Sequence, residues 1–368
     1  MDRRDALRLM SGGLAAGAGL CWLPSCASAA GFMSEARHYD RLAGLKVRCR
    51  LCPKECVVGD RERGFCGVRE NRGGTYYTLV YGQCAALNLD PIEKKPLFHF
   101  LPGSGAFSIA AAGCNFDCKD CQNWEISQAR PEQITSATRL LPNEVAAQAK
   151  RYGARSIAYT YSEPVVFYEY VYDSAQAGHA AGVKSVMISN GFIRPEPMTR
   201  LLTHLDAVKI DLKSISEQFY RDYCAGELGP VLETIKLVKR SGKLLELVYL
   251  VVPTLNDSEA TVREMCKWVH GNVGAEVPLH FSRFYPAYQL KKLPPTPYET
   301  MERCWKIARD AGMRFVYVGN VPETPHVNTV CPGCGKTVVK RSGYQIVENN
   351  LRNGACRFCA RRIPGVWA

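Results

Sequence analysis

Three closely spaced cysteines constrain this chain more than any other feature. Cys114, Cys118 and Cys121 follow an apolar run that ends at Gly113, and their spacing is C-x3-C-x2-C. Cysteine thiolates are the ligands that hold iron–sulfur clusters. Three of them can ligate three irons of a 4Fe-4S cluster and leave the fourth iron open, whereas a structural zinc site needs four ligands. The sequence therefore predicts a 4Fe-4S cluster with one iron at which a small molecule can bind.

From residue 107 onward, strand-like and helix-like segments alternate. Apolar runs typical of strands lie at 107–113, 156–160, 184–189, 207–212, 244–252 and 279–284. Amphipathic stretches separate them, at 143–152, 165–181, 198–204, 230–240 and 259–270, and one more helix precedes a further strand at 314–318. Six βα units around a parallel sheet fit an incomplete (β/α)6 barrel. We therefore predict an α/β fold whose chemistry lies at the C-terminal ends of the strands.

Polar residues stand at the ends of the second, third and fourth predicted strands. Glu163 follows the second strand, Asn190 and Gly191 follow the third, and Asp211 and Lys213 lie on the fourth. Taken singly, Glu163 is also explained as an ordinary carboxylate before a helix, and Asn190-Gly191 as a turn. Charged side chains on an inner sheet face need partners or a ligand. Together these residues predict a binding site beside the three cysteines.

Most of the 17 cysteines fall into clusters with metal-ligand spacing. An N-terminal set in the pattern C-x2-C-x3-C-x9-C is sufficient for a second iron–sulfur cluster or a zinc site, with a disulfide as the alternative; its members are Cys49, Cys52, Cys56 and Cys66. A C-terminal set of two CxxC pairs predicts a structural zinc-ribbon or rubredoxin-like site; its members are Cys331, Cys334, Cys356 and Cys359. Four isolated cysteines are expected to be small buried apolar residues; they are Cys84, Cys224, Cys266 and Cys304.

The central motif and its strand-end companions resemble those of radical S-adenosylmethionine (SAM) enzymes. The resemblance implies that Glu163 meets the SAM ammonium, that Asn190 and Gly191 line the SAM pocket, and that Lys213 faces the SAM carboxylate above Asp211. It also implies a one-electron reductant of the flavodoxin or ferredoxin type, whose electron cleaves SAM to a 5′-deoxyadenosyl radical that abstracts hydrogen from a substrate.

The adenine-contacting part of the loop departs from that pattern. Where such enzymes usually place an aromatic residue before the third cysteine, this chain has Asp120. Cluster binding should survive this change, and we expect Phe116 or Trp124 to take the place of the missing ring.

The chain as a whole resembles the radical SAM member of the AmmeMemoRadiSam system, a family similar to pyruvate formate-lyase activating enzymes. Four stretches carry this resemblance, at 49–56, 113–127, 279–286 and 363–367. It implies Memo-like and Ammecr-like partner proteins. On this basis the chain divides into a signal-like segment at 1–30, a Cys-rich region at 31–105, a radical SAM core at 106–321 and a CxxC…CxxC metal-ribbon tail at 322–368.

The first 30 residues look like a targeting signal rather than a membrane span. A basic start with Arg3-Arg4, a short apolar stretch and small residues around Cys26 are typical of a twin-arginine signal. Such a signal indicates export or membrane tethering, while SAM chemistry argues for the cytoplasm, so the sequence leaves the compartment open.

Two other functions compete with this interpretation. One is a true glycyl-radical activase, which abstracts hydrogen from a protein glycine, and a neighbouring gene for a glycyl-radical enzyme would favour it. The other is a metal-ribbon protein that binds nucleic acid, which the formal charge of +12 suggests. Because the basic residues are scattered and bound thiolates would offset part of their charge, no nucleic acid is expected as a partner.

Overall fold

A mixed sheet of eight strands lies at the centre of residues 32–368, the part of the chain that this computed structural model describes. Its strands are β8 Ala86–Pro91, β9 Gly105–Ala110, β11 Ser156–Tyr159, β12 Lys184–Ser189, β13 Ala207–Asp211, β14 Leu244–Val251, β15 Leu279–Arg283 and β16 Val316–Gly319. They are arranged in the order β16-β15-β14-β13-β12-β11-β9-β8. The signal-like segment at 1–30, with Cys21 and Cys26, lies outside the described residues.

The predicted α/β class is confirmed, and the barrel is not closed. Neighbouring strands from β9 to β16 are parallel, while β8 pairs antiparallel with β9. Strands β8 and β16 are therefore the two edges of an open sheet. The six predicted strands and the further strand correspond to β9 and to β11 through β16. Strand β8 was not predicted.

Helices connect the parallel strands. They are α1 Trp124–Ser127, α2 Pro142–Arg151, α3 Tyr168–Ala180, α4 Pro195–Leu202, α5 Glu217–Cys224, α6 Leu228–Arg240, α7 Glu259–Asn272 and α8 Tyr298–Asp310. Ser216 and Ser258 cap α5 and α7 by accepting hydrogen bonds from backbone amides of the first turn. Helix α5 was not predicted. None of the helices in residues 32–368 is long and apolar enough to cross a membrane.

Small antiparallel sheets make up the N-terminal region. Their strands are β1 Ser34–Glu35, β2 Tyr39–Arg41, β3 Val47–Cys49, β4 Val57–Val58, β5 Arg69–Arg72, β6 Thr75–Thr78, β7 Gln83–Cys84 and, later in the chain, β10 Thr138–Arg139. They pair in the orders β1-β6-β5, β2-β3-β4 and β10-β7. A fully buried ion pair between Arg69 and Glu169 joins this region to α3.

The C-terminal tail also folds into short strands. These are β17 Thr329–Val330, β18 Thr337–Ser342, β19 Gln345–Asn349, β20 Leu351–Arg352 and β21 Ala355–Cys356. Buried His99 holds the tail against the sheet, because its two ring nitrogens lie 2.6 Å from the Pro364 carbonyl and 2.6 Å from the Tyr317 hydroxyl. Arg341 of β18 adds a hydrogen bond of 2.8 Å to the Phe98 carbonyl.

Candidate active site and metal centres

The cysteine loop, residues 113–124, starts at a turn that only glycine fits. Gly113 has a φ of +93°, and a Cβ atom there would lie 2.6 Å from Val68 Cγ1 and 2.7 Å from the Cys66 carbonyl oxygen. The Gly113 amide donates to the Ile126 carbonyl at 2.9 Å, which closes the loop at its base. The loop thus leaves the C-terminal end of β9 and is pressed against the N-terminal region.

Helix α5 fixes the outer side of the loop. The amides of Asp117 and Lys119 donate to the carbonyls of Cys224 and Tyr223, both at 3.0 Å. Phe116 is fully buried, and a Cβ atom on Gly226 would lie 2.1 Å from its ring. The loop is therefore held by packing as well as by its own turn.

Hydrogen-bonding groups lie near two of the three sulfur atoms of the cysteine loop, those of Cys114 and Cys121. The Phe116 amide lies 3.4 Å from Cys114 Sγ, and Ser127 Oγ lies 3.1 Å from Cys121 Sγ. Asn190 Nδ2 lies 4.0 Å from Cys114 Sγ. Donors near sulfur stabilise thiolate ligands and tune the clusters that they hold. The three thiols and these donors fit a 4Fe-4S cluster with one iron left open.

Glu163 is a buried carboxylate at the end of β11. Its Oε1 accepts hydrogen bonds from Ser189 Oγ at 2.7 Å and from the Val165 amide at 3.1 Å, and its Oε2 accepts one from the Asn190 amide at 2.8 Å. Burial outweighs these bonds and raises the pKa of Glu163 to about 7. A cation that approached this carboxylate would favour its ionised form.

Asn190 and Gly191 join that carboxylate to the cysteine loop. Asn190 Nδ2 donates to Asn115 Oδ1 at 2.8 Å, and Asn115 Nδ2 donates to the Phe192 carbonyl at 2.7 Å. Gly191 has a φ of +74°, which allows the chain to turn away after Asn190. The predicted residues of β11, β12 and the loop are thus in one connected hydrogen-bond network.

Asp211 lies between two lysines at the end of β13. Lys209 Nζ contacts Asp211 Oδ1, and Lys213 Nζ lies 3.4 Å from Asp211 Oδ2. Burial alone would raise the pKa of Asp211, but the two lysines outweigh it and hold that pKa below its ordinary value. Burial likewise disfavours the charge of Lys213, yet Asp211 and the nearby side chains of Cys118 and Asp120 raise its pKa well above normal. Lys213 is therefore a fixed positive charge beside the loop.

The two aromatic residues expected near the adenine differ in accessibility. Phe116 lies 4.9 Å from Phe192 between ring centroids and belongs to the core. Trp124 is 39% exposed and stacks on Tyr288 at 5.3 Å. Of the two, Trp124 is the ring that a ligand can reach.

The N-terminal cysteines surround a pocket between the N-terminal region and the cysteine loop. All four of them line it, together with Arg69, Tyr76 and Asn115. Cys49 and Cys52 are buried, while Cys56 and Cys66 are half-buried. We call this cavity the N-terminal pocket.

The tail cysteines form a compact set instead. Within residues 32–368 they are the only group of three or more histidine, cysteine or acidic side chains whose ligand atoms all lie within 4.8 Å of one another. Cys331 and Cys359 bring their sulfur atoms to 3.6 Å, and Cys334 and Cys356 to 3.7 Å. Two ligands of a tetrahedral zinc ion lie about 3.8 Å apart when each Zn–S bond is about 2.3 Å. This set could hold a single metal ion.

Several residues of these sites were not predicted from the sequence. Ser189 was not singled out, although it directly precedes Asn190 and donates to Glu163. The four isolated cysteines are buried as expected, but the Cys224 thiol also interacts with Cys118 and, with burial, raises the pKa of that thiol. Arg69 carried no local signal, because its partner Glu169 is 100 residues away.

A family model and two proteins match this chain in sequence. The model of the radical SAM superfamily matches residues 108–267, which include the cysteine loop, Glu163 and Lys213. An uncharacterized protein of Methanocaldococcus jannaschii, MJ0808, is 43% identical over 333 residues, which cover 90% of this chain and 99% of that protein. A second protein of that organism, MJ0674, is 24% identical over 283 residues, covering 73% of this chain and 76% of its own length.

Solved structures show a fainter likeness. A domain of a pyruvate-formate lyase-activating enzyme from Bacteroides vulgatus has a TM-score of 0.41 at 15% identity, covering 45% of this chain and 99% of that domain. A radical SAM methyltransferase from Sphaerobacter thermophilus has a TM-score of 0.47 at 15% identity, covering 60% of this chain and 67% of that one.

Proposed function

This chain belongs to the radical SAM superfamily, and we propose that it is an enzyme that cleaves SAM reductively and abstracts hydrogen from a substrate. Membership implies a 4Fe-4S cluster and SAM as cofactors. One observation carries the proposal: the three thiols of the cysteine loop lie beside both a buried carboxylate, Glu163, and a half-buried ammonium, Lys213.

Glu163 and Lys213 have the charges needed to bind the ammonium and the carboxylate of an amino acid group. When bound, the cluster and SAM supply a 5′-deoxyadenosyl radical. Glu163 would bind the SAM ammonium, and Lys213 would bind the SAM carboxylate, both through charge-assisted hydrogen bonds. Asn190 would orient Glu163 toward the cluster, because its backbone amide donates to Glu163 and its side chain lies near Cys114. Burial of these groups excludes water and strengthens their attraction for a ligand.

We assign the tail cysteines to a structural zinc ion. Four thiols with sulfur separations of 3.6 and 3.7 Å leave no open coordination position. The tail would then hold its short strands together around the metal, away from the reaction itself.

We further propose that the chain is the radical SAM member of the AmmeMemoRadiSam system. The support is the sequence likeness of the four stretches named above, with Memo-like and Ammecr-like proteins as partners and a flavodoxin- or ferredoxin-type donor. Binding of the purified chain to a Memo-like protein from the same genome would support this assignment. Failure to bind either partner type would count against it.

Anaerobic reconstitution tests the proposed reaction. The full chain is loaded with iron and sulfide and then mixed with SAM and dithionite, and 5′-deoxyadenosine and methionine are measured. We expect both products from the wild type and none above background from Cys118→Ala. A reconstituted wild type that contains iron and sulfide yet makes no more 5′-deoxyadenosine than Cys118→Ala would refute the proposal.

A matched cysteine variant controls for damage to the fold. Cys304 is 1% exposed on α8, far in sequence from the cysteine loop, and contributes packing only. Cys304→Ala should keep SAM cleavage near the wild-type rate. Loss of activity in both variants would show that the assay reports folding rather than the cluster.

A further inference from the structure

The four cysteines of the N-terminal pocket are too far apart to close around one metal ion. All pairs of ligands of a single zinc ion lie within about 4.6 Å, twice the Zn–S bond length of about 2.3 Å. Within the described part of the chain, only the tail set has three or more ligand atoms within 4.8 Å of one another. The N-terminal thiols instead lie around the wall of one shared pocket.

An iron–sulfur cluster needs that wider arrangement. Its irons and inorganic sulfides occupy the centre, and the cysteine thiolates bind from the outside. Four thiols around an open space therefore match a polynuclear cluster, while four thiols in mutual contact match a single ion.

The backbone around the pocket is arranged to support thiolates. The Phe65 amide donates a hydrogen bond to Cys56 Sγ, and the backbone amides of Leu51, Lys54 and Val68 favour the thiolate forms of Cys49, Cys52 and Cys66. The Phe65 amide lies 3.4 Å from Cys56 Sγ. Amide donors to sulfur are among the features by which proteins tune iron–sulfur clusters.

A buried guanidinium N–H group on the pocket wall lacks a hydrogen-bond acceptor. Arg69 lines the pocket and is 1% exposed, and its Nη1 has no hydrogen-bond partner. Its other terminal nitrogen pairs with Glu169, and its Nε donates to the Val166 carbonyl at 3.3 Å. A buried N–H group without a partner is costly. A cluster held by four thiolates carries net negative charge and would satisfy it.

We propose that the N-terminal pocket holds a polynuclear iron–sulfur cluster, ligated by Cys49, Cys52, Cys56 and Cys66. Full thiolate ligation leaves no open iron, so this cluster would exchange electrons rather than bind SAM or a substrate. It would lie next to the cysteine loop, since Asn115 lines the pocket and Cys66 contacts Gly113.

The test removes the other cluster and counts what remains. A full-length chain with Cys114→Ala, Cys118→Ala and Cys121→Ala is reconstituted anaerobically, and iron, acid-labile sulfide and zinc are measured together with the Mössbauer spectrum. We expect iron and sulfide in equal amounts, two or four of each per chain. Because this variant cannot form the SAM-site cluster, the result does not depend on the proposed function.

A second variant assigns the iron to the pocket. Adding Cys56→Ser, a change at a half-buried position, should remove the iron and sulfide while the tail keeps its metal and the thermal unfolding temperature shows a folded chain. Zinc in place of iron at the pocket, iron without sulfide, or no metal bound there by a folded chain would each overturn the proposal. Iron and sulfide that persist after Cys56→Ser would overturn the assignment of the ligands.

Discussion

The cysteine loop and the tail place the same side chain in two different arrangements. The tail brings four sulfur atoms within 4.8 Å of one another, so a bound ion would take all four of its ligands from the protein. The cysteine loop offers three thiols and surrounds them with ionisable neighbours, among them Glu163 and Lys213. A closed ligand set favours stability, whereas an open one favours chemistry. Because both sites use cysteine, the difference between them lies in the number of thiols and in the residues around them.

The largest expected effect is on the tail, where one lost ligand should cost stability. Cys334→Ser opens the compact set, and loss of a structural metal is among the few single changes that cost about 4 kcal/mol or more. We expect loss of zinc and a large fall in the urea midpoint of unfolding.

The cysteine loop provides the contrasting variant. Cys118→Ala should abolish SAM cleavage but leave the zinc content and the urea midpoint close to those of the wild type. If Cys334→Ser lost its zinc and unfolded at the wild-type midpoint, the tail would have no structural role and the comparison would fail.

A smaller effect is expected at Glu163. Its substitution should weaken SAM binding without removing the iron of the cluster. Glu163→Gln removes the negative charge that would bind the SAM ammonium, and a hydrogen bond to a charged group contributes about 1.5–3 kcal/mol. SAM affinity, measured by equilibrium dialysis against reconstituted protein, should fall about 10- to 100-fold. Iron content should not change.

Glu264→Gln is the matched control for that change. Glu264 is an exposed glutamate on α7, so its loss of charge should leave SAM affinity unaltered. Equal SAM affinity in Glu163→Gln and the wild type would remove Glu163 from the binding site.

The parts of these sites that the sequence predicts are those encoded by neighbouring residues. Cys114, Cys118 and Cys121 lie in one short loop, and Glu163, Asn190 and Asp211 each end a strand whose apolar run is visible. Parallel strands bring their C-terminal ends to one edge, so the grouping follows from the fold class.

What the sequence could not predict depends on packing between distant segments. Helix α5 was missed, so neither the support of the loop by Tyr223 and Cys224 nor the approach of Gly226 to Phe116 could be foreseen. The pairing of Arg69 with Glu169 likewise joins separate regions. The spacing of the N-terminal and tail cysteines does not identify the metal at either site. Only the folded positions of the sulfur atoms distinguish a compact set from a pocket.

The smallest effect concerns how the tail is attached, and it should depend on pH. Burial lowers the pKa of His99 to about 4, while an unfolded histidine titrates near 6.5. Because protonation then favours the unfolded chain, the stability that neutral His99 provides is complete above pH 6.5 and is lost as the pH falls toward 4. Between pH 7.5 and pH 5 this group alone should cost about 2 kcal/mol.

His99→Asn separates this contribution from the acid sensitivity of the proposed zinc site, which would be the same in both proteins. Asparagine does not titrate, so the variant should be less stable than the wild type at pH 7.5 and should lose less stability on acidification. The urea midpoints of the two proteins should therefore converge between pH 7.5 and pH 5. Midpoints that fall in parallel would show that His99 does not titrate on unfolding, and that the tail is held to the sheet by pH-independent packing alone.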